Sequence, residues 1–342
     1  MEKARVALAA ASTAEAQTYA PRLWAQAERY WNYTLRAFRE QRRQWFFLRD
    51  FAEAERLAQQ TEALAMRARE RAIAVRDSLT LVTEGLAKTA QQQIELYRTT
   101  YRDLPGNTQF RERAVRSELL LHEAQHARAR GDLVRAGQRL REAKEAIEAA
   151  GNGSASAIRA YFANVPTWRQ WAQETISYSN ENHCSVIIID KFAHLCRVYQ
   201  NGKVAAEFPV ELGANWVGHK QRRGDNATPE GHYLVTRKKS GRSTIYYKAL
   251  VLNYPNENDM REFRVKKERG LLPPGAQIGG LIEIHGEGGK GFDWTNGCVA
   301  LTNKDMDRLY SMVDVGTRVT IVGSLQSWEA FFGNHQGVLG TK

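Results

Sequence analysis

Cysteine is scarce. The 342 residues include three, Cys184, Cys196 and Cys298, too few for a disulfide framework and without the paired spacing of a zinc site. Long apolar runs are missing as well. No stretch approaches the ~20 residues that a membrane-spanning helix needs, which excludes a helical transmembrane segment. Helix breakers are rare at first: residues 1–150 hold four glycines (Gly85, Gly106, Gly131, Gly137) and two of the eight prolines. A stretch rich in Ala, Glu, Arg and Gln with so few breakers reads as helix. The other 22 of the 26 glycines, and all three cysteines, follow among short β-branched runs that read as strands and loops. Acidic residues are in deficit, 38 against 49 Lys and Arg, for a formal charge of +11, of which residues 1–170 carry +8. That excess suits an anionic partner: nucleic acid, a membrane surface or an acidic polymer. With 43% hydrophobic and 25% charged residues the chain is not disordered, and its length suits two domains.

The first half carries heptad-like spacing. Trp24, Ala27, Trp31, Thr34, Phe38, Gln41, Trp45 and Leu48 alternate steps of three and four, and Phe51, Ala54, Ala58, Thr61, Ala65, Ala68, Ala72 and Val75 do the same. Large residues on one stripe and small ones on the other predict two closely packed helices, with the three tryptophans in the core. Leu86, Ala90, Ile94, Tyr97 and Tyr101 continue the pattern to the stop at Pro105-Gly106-Asn107. Leu133, Ala136, Leu140, Ala143 and Ile147 form another stripe after the turn Arg130-Gly131-Asp132. Lys3 and Arg5 precede a short apolar run, Val6 to Ala11, below the length of a secretory core, so it reads as a helix start or the trimmed end of a mature chain. His122 and His126 share a helix face but lack a third histidine, and read as a solvated pair rather than a metal site. Arg36, Arg39, Arg42, Arg43 and Arg49 could contact phosphates but read as a solvated bundle face, since glutamates are interleaved elsewhere on these helices, and no nucleic-acid-binding signature accompanies the stripe tryptophans.

The expected domain limits are residues 1–178 for the helical part, 179–182 for a polar linker, 183–324 for a second domain and 325–342 for a tail. Gly151-Asn152-Gly153-Ser154 reads as an earlier linker, followed by a helix interrupted near Asn164-Val165-Pro166. A hairpin is expected from 185–189 and 194–199, then strands at 204–212, 231–237, 247–252, 281–285 and 317–322. One helix, 304–312, accompanies them. The fold class is therefore α+β: a helical bundle followed by a mostly antiparallel β domain. Cys184 and Cys196 fall near neighbouring strands, where an oxidising compartment would allow a bridge.

One segment of that domain carries chemistry. His285 ends a strand and opens a glycine-rich loop, and Cys298 follows directly after Gly297. Imidazole can take a thiol proton and the thiolate can attack a carbonyl. Backbone N–H groups around a Gly-Cys turn can receive the resulting oxyanion. The residues alone leave open both this pair and a buried structural cysteine.

The wider text narrows the choice. Ile284-His285-Gly286, then Thr295-Asn296-Gly297-Cys298-Val299-Ala300-Leu301-Thr302-Asn303, preceded by Arg222-Arg223-Gly224-Asp225-Asn226-Ala227-Thr228-Pro229-Glu230-Gly231 and Leu252-Asn253-Tyr254-Pro255-Asn256, resembles the L,D-transpeptidase family with its YkuD-type catalytic domain, over about residues 183–323. The resemblance implies a β-sandwich-like catalytic domain acting on peptidoglycan stem peptides in the periplasm or cell envelope. It maps the nucleophile onto Cys298 and the general base onto His285, oriented by the Gly286 carbonyl. It places Asn296 and Gly297 at the oxyanion, and Thr295, Trp294 and Tyr254 along the substrate. The implied reaction forms a Cys298 thioester with release of D-alanine and needs neither metal nor organic cofactor. The acceptor is a second stem, a protein lysine, or water in a carboxypeptidase or hydrolase. Strained β-lactams of the carbapenem type acylate the family's thiol. Gly224 to Gly231 reads as a scaffold turn. Many members have Ser-His-Gly-Cys where this chain has Thr295-Asn296-Gly297-Cys298, and asparagine cannot titrate. The spacer after His285 is also short, which leaves substrate choice open. The helical part resembles alanine-rich hairpins of bacterial envelope proteins and could recruit an envelope partner. A non-catalytic envelope scaffold is the reading from another class.

Overall fold

The computed structural model describes residues 1–106 and 108–333. They divide into two compact units, one of residues 1–94 and 115–147, the other of the described residues within 95–114 and from 148 to 333. Helices fill the first half: α1 (Glu2–Thr13), α2 (Ala16–Tyr19), α3 (Pro21–Arg43), α4 (Ala52–Thr100), α5 (Thr108–Ala129), α6 (Leu133–Phe162) and α7 (Val165–Glu181).

In the first unit the small-residue stripe packs as its spacing predicts. Ala54, Ala58, Thr61, Ala65, Ala68 and Ala72 of α4 are buried, and the Thr61 hydroxyl lies 3.3 Å from that of Thr34 on α3. Leu133, Ala136, Leu140, Ala143 and Ile147 are buried as well. The Asp132 carboxylate accepts the Arg135 N–H, capping α6 after the Gly131 turn. The large-residue stripe fails at its end. Trp24 and Trp31 are half-buried, but α3 stops at Arg43 and Gln44 is extended, so Trp45 and Leu48 leave the stripe and stand in solvent. The three-four spacing continued past the last turn of helix that could give it a face.

In the second unit Gly151–Ser154 is not a linker. It lies within α6, where Gly153 lets the Phe110 ring press against the helix backbone. Pro166 sits in the first turn of α7, where a missing N–H costs nothing, and Ser179–Glu181 complete that helix. α7 packs Trp168 directly on Gly323, and its Thr175 hydroxyl lies 2.7 Å from that of Thr320.

Among the described residues, eight strands form one mixed sheet in the order β3-β2-β1-β8-β4-β5-β6-β7. They are β1 (Ser185–Asp190), β2 (Leu195–Gln200), β3 (Lys203–Pro209), β4 (Gly231–Ser240), β5 (Lys248–Leu252), β6 (Glu283–His285), β7 (Val299–Ala300) and β8 (Arg318–Val322). Pairings are antiparallel except β1 with β8 and β6 with β7. Just past β3, Glu211 bridges Ala300 of β7 through two backbone hydrogen bonds of 2.9 and 2.8 Å. β3 and β7 are opposite edges, so the sheet curls until they meet. Ile187, Val198, Phe208, Leu250, Ile284 and Ile321 are among the residues of its core.

Three further points differ from the expectations. Helix α8 (Glu257–Glu268) was not expected beside α9 (Asn303–Met312), because its sequence is largely charged; a capping box of Asn256 and Asp259 starts it. The tail forms α10 (Trp328–Phe332), and residues 334–342 lie outside the described residues. Cys184 and Cys196 do not pair. Ser185 faces Gln200 while Cys196 faces Ile189, so the thiols are offset by several ~3.3 Å strand steps, and all three cysteines are free.

Candidate active site

The site forms where β6 and β7 run side by side. Ile284 pairs with Val299 and His285 with Ala300. Side chains alternate along a strand, so Cys298, two positions before Ala300, faces the same side of the sheet as Glu283 and His285. Both candidates are enclosed: His285 is 0% and Cys298 9% exposed.

The imidazole is fixed on three sides. Its Nδ1 lies 2.6 Å from the Gly286 carbonyl oxygen. A carbonyl can only accept, so Nδ1 bears the proton and Nε2 the lone pair of the neutral ring. Tyr246 stacks on the ring at 3.6 Å and 8°, and Trp294 meets it edge-on at 5.9 Å. The Nε2 atom is buried without a hydrogen-bond partner among the described residues. An unpaired buried nitrogen costs about 1–3 kcal/mol, and a catalytic role is one reason for a fold to keep it. Burial pushes the His285 pKa below 6.5, against the opposing pull of the Gly286 hydrogen bond.

Cys298 is held by the turn before it. The Thr295 hydroxyl donates to the Cys298 carbonyl at 2.7 Å and accepts from the Gly297 N–H at 3.2 Å. Gly297 has φ +126°, and a Cβ there would stand 2.5 Å from the Ala227 carbonyl oxygen, so no other residue fits. The thiol points toward the Leu281 carbonyl at 3.5 Å. Burial raises its pKa to about 11. Both shifts favour the neutral thiol and the neutral imidazole.

Two cavities meet at Cys298. One of about 380 Å³ is lined by Lys239, Arg242, Tyr246, Leu281 and Glu283, among others. The second, about 280 Å³, includes Gly280, Leu281, Trp294, Thr295 and Asn296. Tyr254 lies elsewhere: it is buried against Tyr233 and lines neither cavity.

Three residues around the site lie outside the motifs that the sequence singles out. Glu211, brought to the loop by the edge-to-edge bridge, accepts from the Gly291 N–H at 2.6 Å and the Trp294 indole N–H at 2.8 Å. It thereby holds the Trp294 ring against His285. Lys220, 4% exposed, is paired with Asp225 at 2.7 Å and reaches the Asn296 carbonyl at 3.5 Å. Asp225 also collects the N–H groups of Gln221, Arg222 and Ala227, which makes the Gly224–Gly231 segment a built turn behind the thiol loop. Tyr246 arrives on the loop before β5. The signal that could have found Glu211 is the strand extension through 212, whose alternation aims it away from the core.

Residues 185–321 match the YkuD family, the L,D-transpeptidase catalytic domain. The Escherichia coli protein named "Putative L,D-transpeptidase YafK" is 31% identical over 97 residues, 28% of this chain and 32% of that protein. The chain thus spans about a third of the curated relative it matches. Among solved structures, an L,D-transpeptidase from Mycobacterium tuberculosis is 16% identical over 40% of this chain and 57% of that one, at a TM-score of 0.28. One from Mycobacterium smegmatis is 17% identical over 40% and 58%, at 0.25. Likenesses this slight add no weight. The family match falls on the segment that carries the curled sheet, the enclosed histidine and the glycine-held cysteine: residues 185–321 are an L,D-transpeptidase catalytic domain of the YkuD family, preceded by a helical N-terminal region.

Proposed function

We propose that the protein catalyses acyl transfer on peptidoglycan stem peptides in the periplasm or cell envelope, the polymer and compartment in which its family acts. One observation carries the reading: the unpartnered Nε2 of His285 on the same sheet face as a thiol that stands where two cavities meet. One cavity suits an acyl donor and the other an amine acceptor.

In the first step Cys298 Sγ attacks the carbonyl of the third residue of a tetrapeptide stem. The thiol proton passes to His285 Nε2, and the resulting imidazolium is stabilised through Nδ1 by the Gly286 carbonyl. The oxyanion forms beside the Asn296-Gly297-Cys298 backbone, whose turn Thr295 and Lys220 hold. Collapse breaks the peptide bond, the imidazolium protonates the leaving amine, and D-alanine departs. In the second step the amine of a second stem, or of a protein lysine, attacks the thioester. His285 takes its proton, an amide forms and the thiol returns. Trp294 serves as a wall of the acceptor side rather than Tyr254, which is packed away from both cavities.

The test is incubation of purified protein with a disaccharide tetrapeptide, with and without an acceptor amine, and weighing of the products. A cross-linked product that needs the amine is expected, lost in Cys298→Ala and kept in Cys184→Ser and Cys196→Ser. Tripeptide alone in both reactions makes the protein a carboxypeptidase of the same site. Unchanged turnover by Cys298→Ala defeats the mechanism.

A further inference from the structure

The turn between α3 and α4 presents Trp45, Phe46, Phe47 and Leu48 to solvent at 74%, 78%, 68% and 58% exposure. Single exposed apolar residues are ordinary, but four consecutive large ones mark an interaction surface. The turn is built rather than frayed. The Leu48 N–H donates to the Trp45 carbonyl at 2.8 Å, and Arg49 donates to the carbonyls of Gln44 and Arg42 at 3.1 and 3.3 Å. The Asp50 N–H donates to the Gln41 side chain at 3.0 Å. The rings lean on one another, Trp45 with Phe47 at 6.5 Å and Phe46 with Phe47 at 5.3 Å. These residues form a small exposed apolar cap.

A basic collar flanks the cap, four of its arginines on one face of α3. Arg36, Arg39, Arg42 and Arg43 are exposed on the last two turns of α3, and exposed Arg49 follows the cap. Between residues 36 and 50 Glu40 and Asp50 are the acidic groups, and Asp50 turns its carboxylate to the Ala52 N–H at 2.9 Å. At 1.5 Å per residue, Arg36 to Arg43 span roughly 10 Å behind the tip, comparable to the depth of a headgroup layer. Tryptophan and phenylalanine at the tip with arginine behind them match the polarity gradient from acyl chains to phosphates.

We propose that the Trp45–Leu48 tip, with its arginine collar, docks the protein onto an anionic lipid bilayer by insertion at the headgroup boundary. The docking is independent of the acyl-transfer reading, and its test uses no peptidoglycan. Full-length protein is sedimented with vesicles of phosphatidylcholine alone or mixed with phosphatidylglycerol. Binding to the anionic vesicles is expected to exceed that to neutral ones by roughly tenfold or more, and to weaken as salt rises. The triple variant Trp45→Ser, Phe46→Ser, Phe47→Ser should lose at least tenfold in binding, with unchanged far-ultraviolet circular dichroism because these side chains are exposed. Arg42→Gln with Arg43→Gln should lose roughly tenfold and bind with a shallower salt dependence. Trp45→Phe should keep binding but remove the part of the tryptophan emission that brominated lipid quenches. Equal binding by the triple variant, equal affinity for neutral vesicles, or no binding by the wild type overturns the proposal. A wild-type oligomer that the triple variant dissolves, with no vesicle binding, also overturns it and assigns the tip to a second copy of the chain.

Discussion

The neutral resting pair makes a quantitative claim about Cys298. Burial raises its thiol from 9.0 to about 11, and burial lowers His285 from 6.5. A shift of two units corresponds to about 2.7 kcal/mol against the thiolate, or a hundredfold smaller thiolate population at neutral pH. A more basic thiolate is also the better nucleophile, by roughly eightfold for two units at a Brønsted slope of about 0.45. Against a simple alkylating agent Cys298 should therefore react roughly tenfold more slowly at pH 7.5 than an ordinary exposed thiol. Its rate should climb tenfold per pH unit without a plateau below about pH 10. A β-lactam of the carbapenem type, whose ring opening needs a proton delivered, should behave differently. Its acylation should depend on neutral His285, lie flat from pH 7 to 9, and fall only on the acid side of the usual imidazole value of 6.5, because burial lowers the His285 pKa.

The assay is iodoacetamide alkylation from pH 6 to 10.5, read at the Cys298 peptide by mass spectrometry. Cys196, whose thiol burial raises to about 12, should stay unlabelled. His285→Ala should leave the alkylation profile nearly unchanged while carbapenem acylation falls by about 10²–10⁴, the usual contribution of a positioned base. A wild-type alkylation plateau with an apparent pKa below 8 that moves upward in His285→Ala would mean a standing thiolate–imidazolium pair, and the neutral-pair reasoning would be wrong.

Glu211→Ala removes the acceptor of two hydrogen bonds at 2.6 and 2.8 Å, each worth about 1.5–3 kcal/mol to a carboxylate, and frees Trp294 from His285. Acylation at Cys298 should fall at least tenfold in a protein that still melts cooperatively; an unchanged rate removes Glu211 from any positioning role. Gly297→Ala must place a Cβ against the Ala227 carbonyl at a positive φ, so thermal stability should drop by about 2 kcal/mol or more and labelling should be lost. A melting temperature within a degree of wild type contradicts the assigned backbone. A chain begun at Asn180 lacks α7 and with it the buried Trp168 and the Thr175–Thr320 contact. Loss of a buried tryptophan costs about 3–5 kcal/mol, so melting should fall by about 10 °C or more, and an unshifted melt means α7 is dispensable.

Much of the fold was legible because its signals are local. The alanine stripe of α4 follows a period that a helix alone satisfies, and Asn201-Gly202 with positive φ at both residues closes the β2–β3 hairpin as that dipeptide suggests. The His285 and Cys298 segment was legible for the same reason, since the loop between them is short and rich in glycine. Its surroundings were not. Tyr246, Lys220 and Glu211 reach the imidazole and the thiol loop through strand order and the meeting of opposite sheet edges, and no spacing along the chain encodes that. Helix α8 hid because a capping box and charged residues, rather than an apolar period, define it.

The aromatic tip shows the converse failure, in which a local signal outran its physical basis. Spacing by threes and fours makes a stripe only where backbone hydrogen bonds keep the helix turning. Past Arg43 those bonds stop: Gln44 is extended, and Trp45 begins a tight turn closed by Arg49 and Gln41. Trp45 and Leu48 fit the arithmetic of the core stripe and not its geometry. Chance placement would make them an exposed liability that any polar pair could replace. The same turn holds two phenylalanines and follows four arginines, all outside the period that buries or half-buries the stripe of α3, so the residues that break the core pattern themselves form a pattern. An apolar cap over a basic collar is what an anionic bilayer surface complements, and the sequence can show it only after the end of the helix is known.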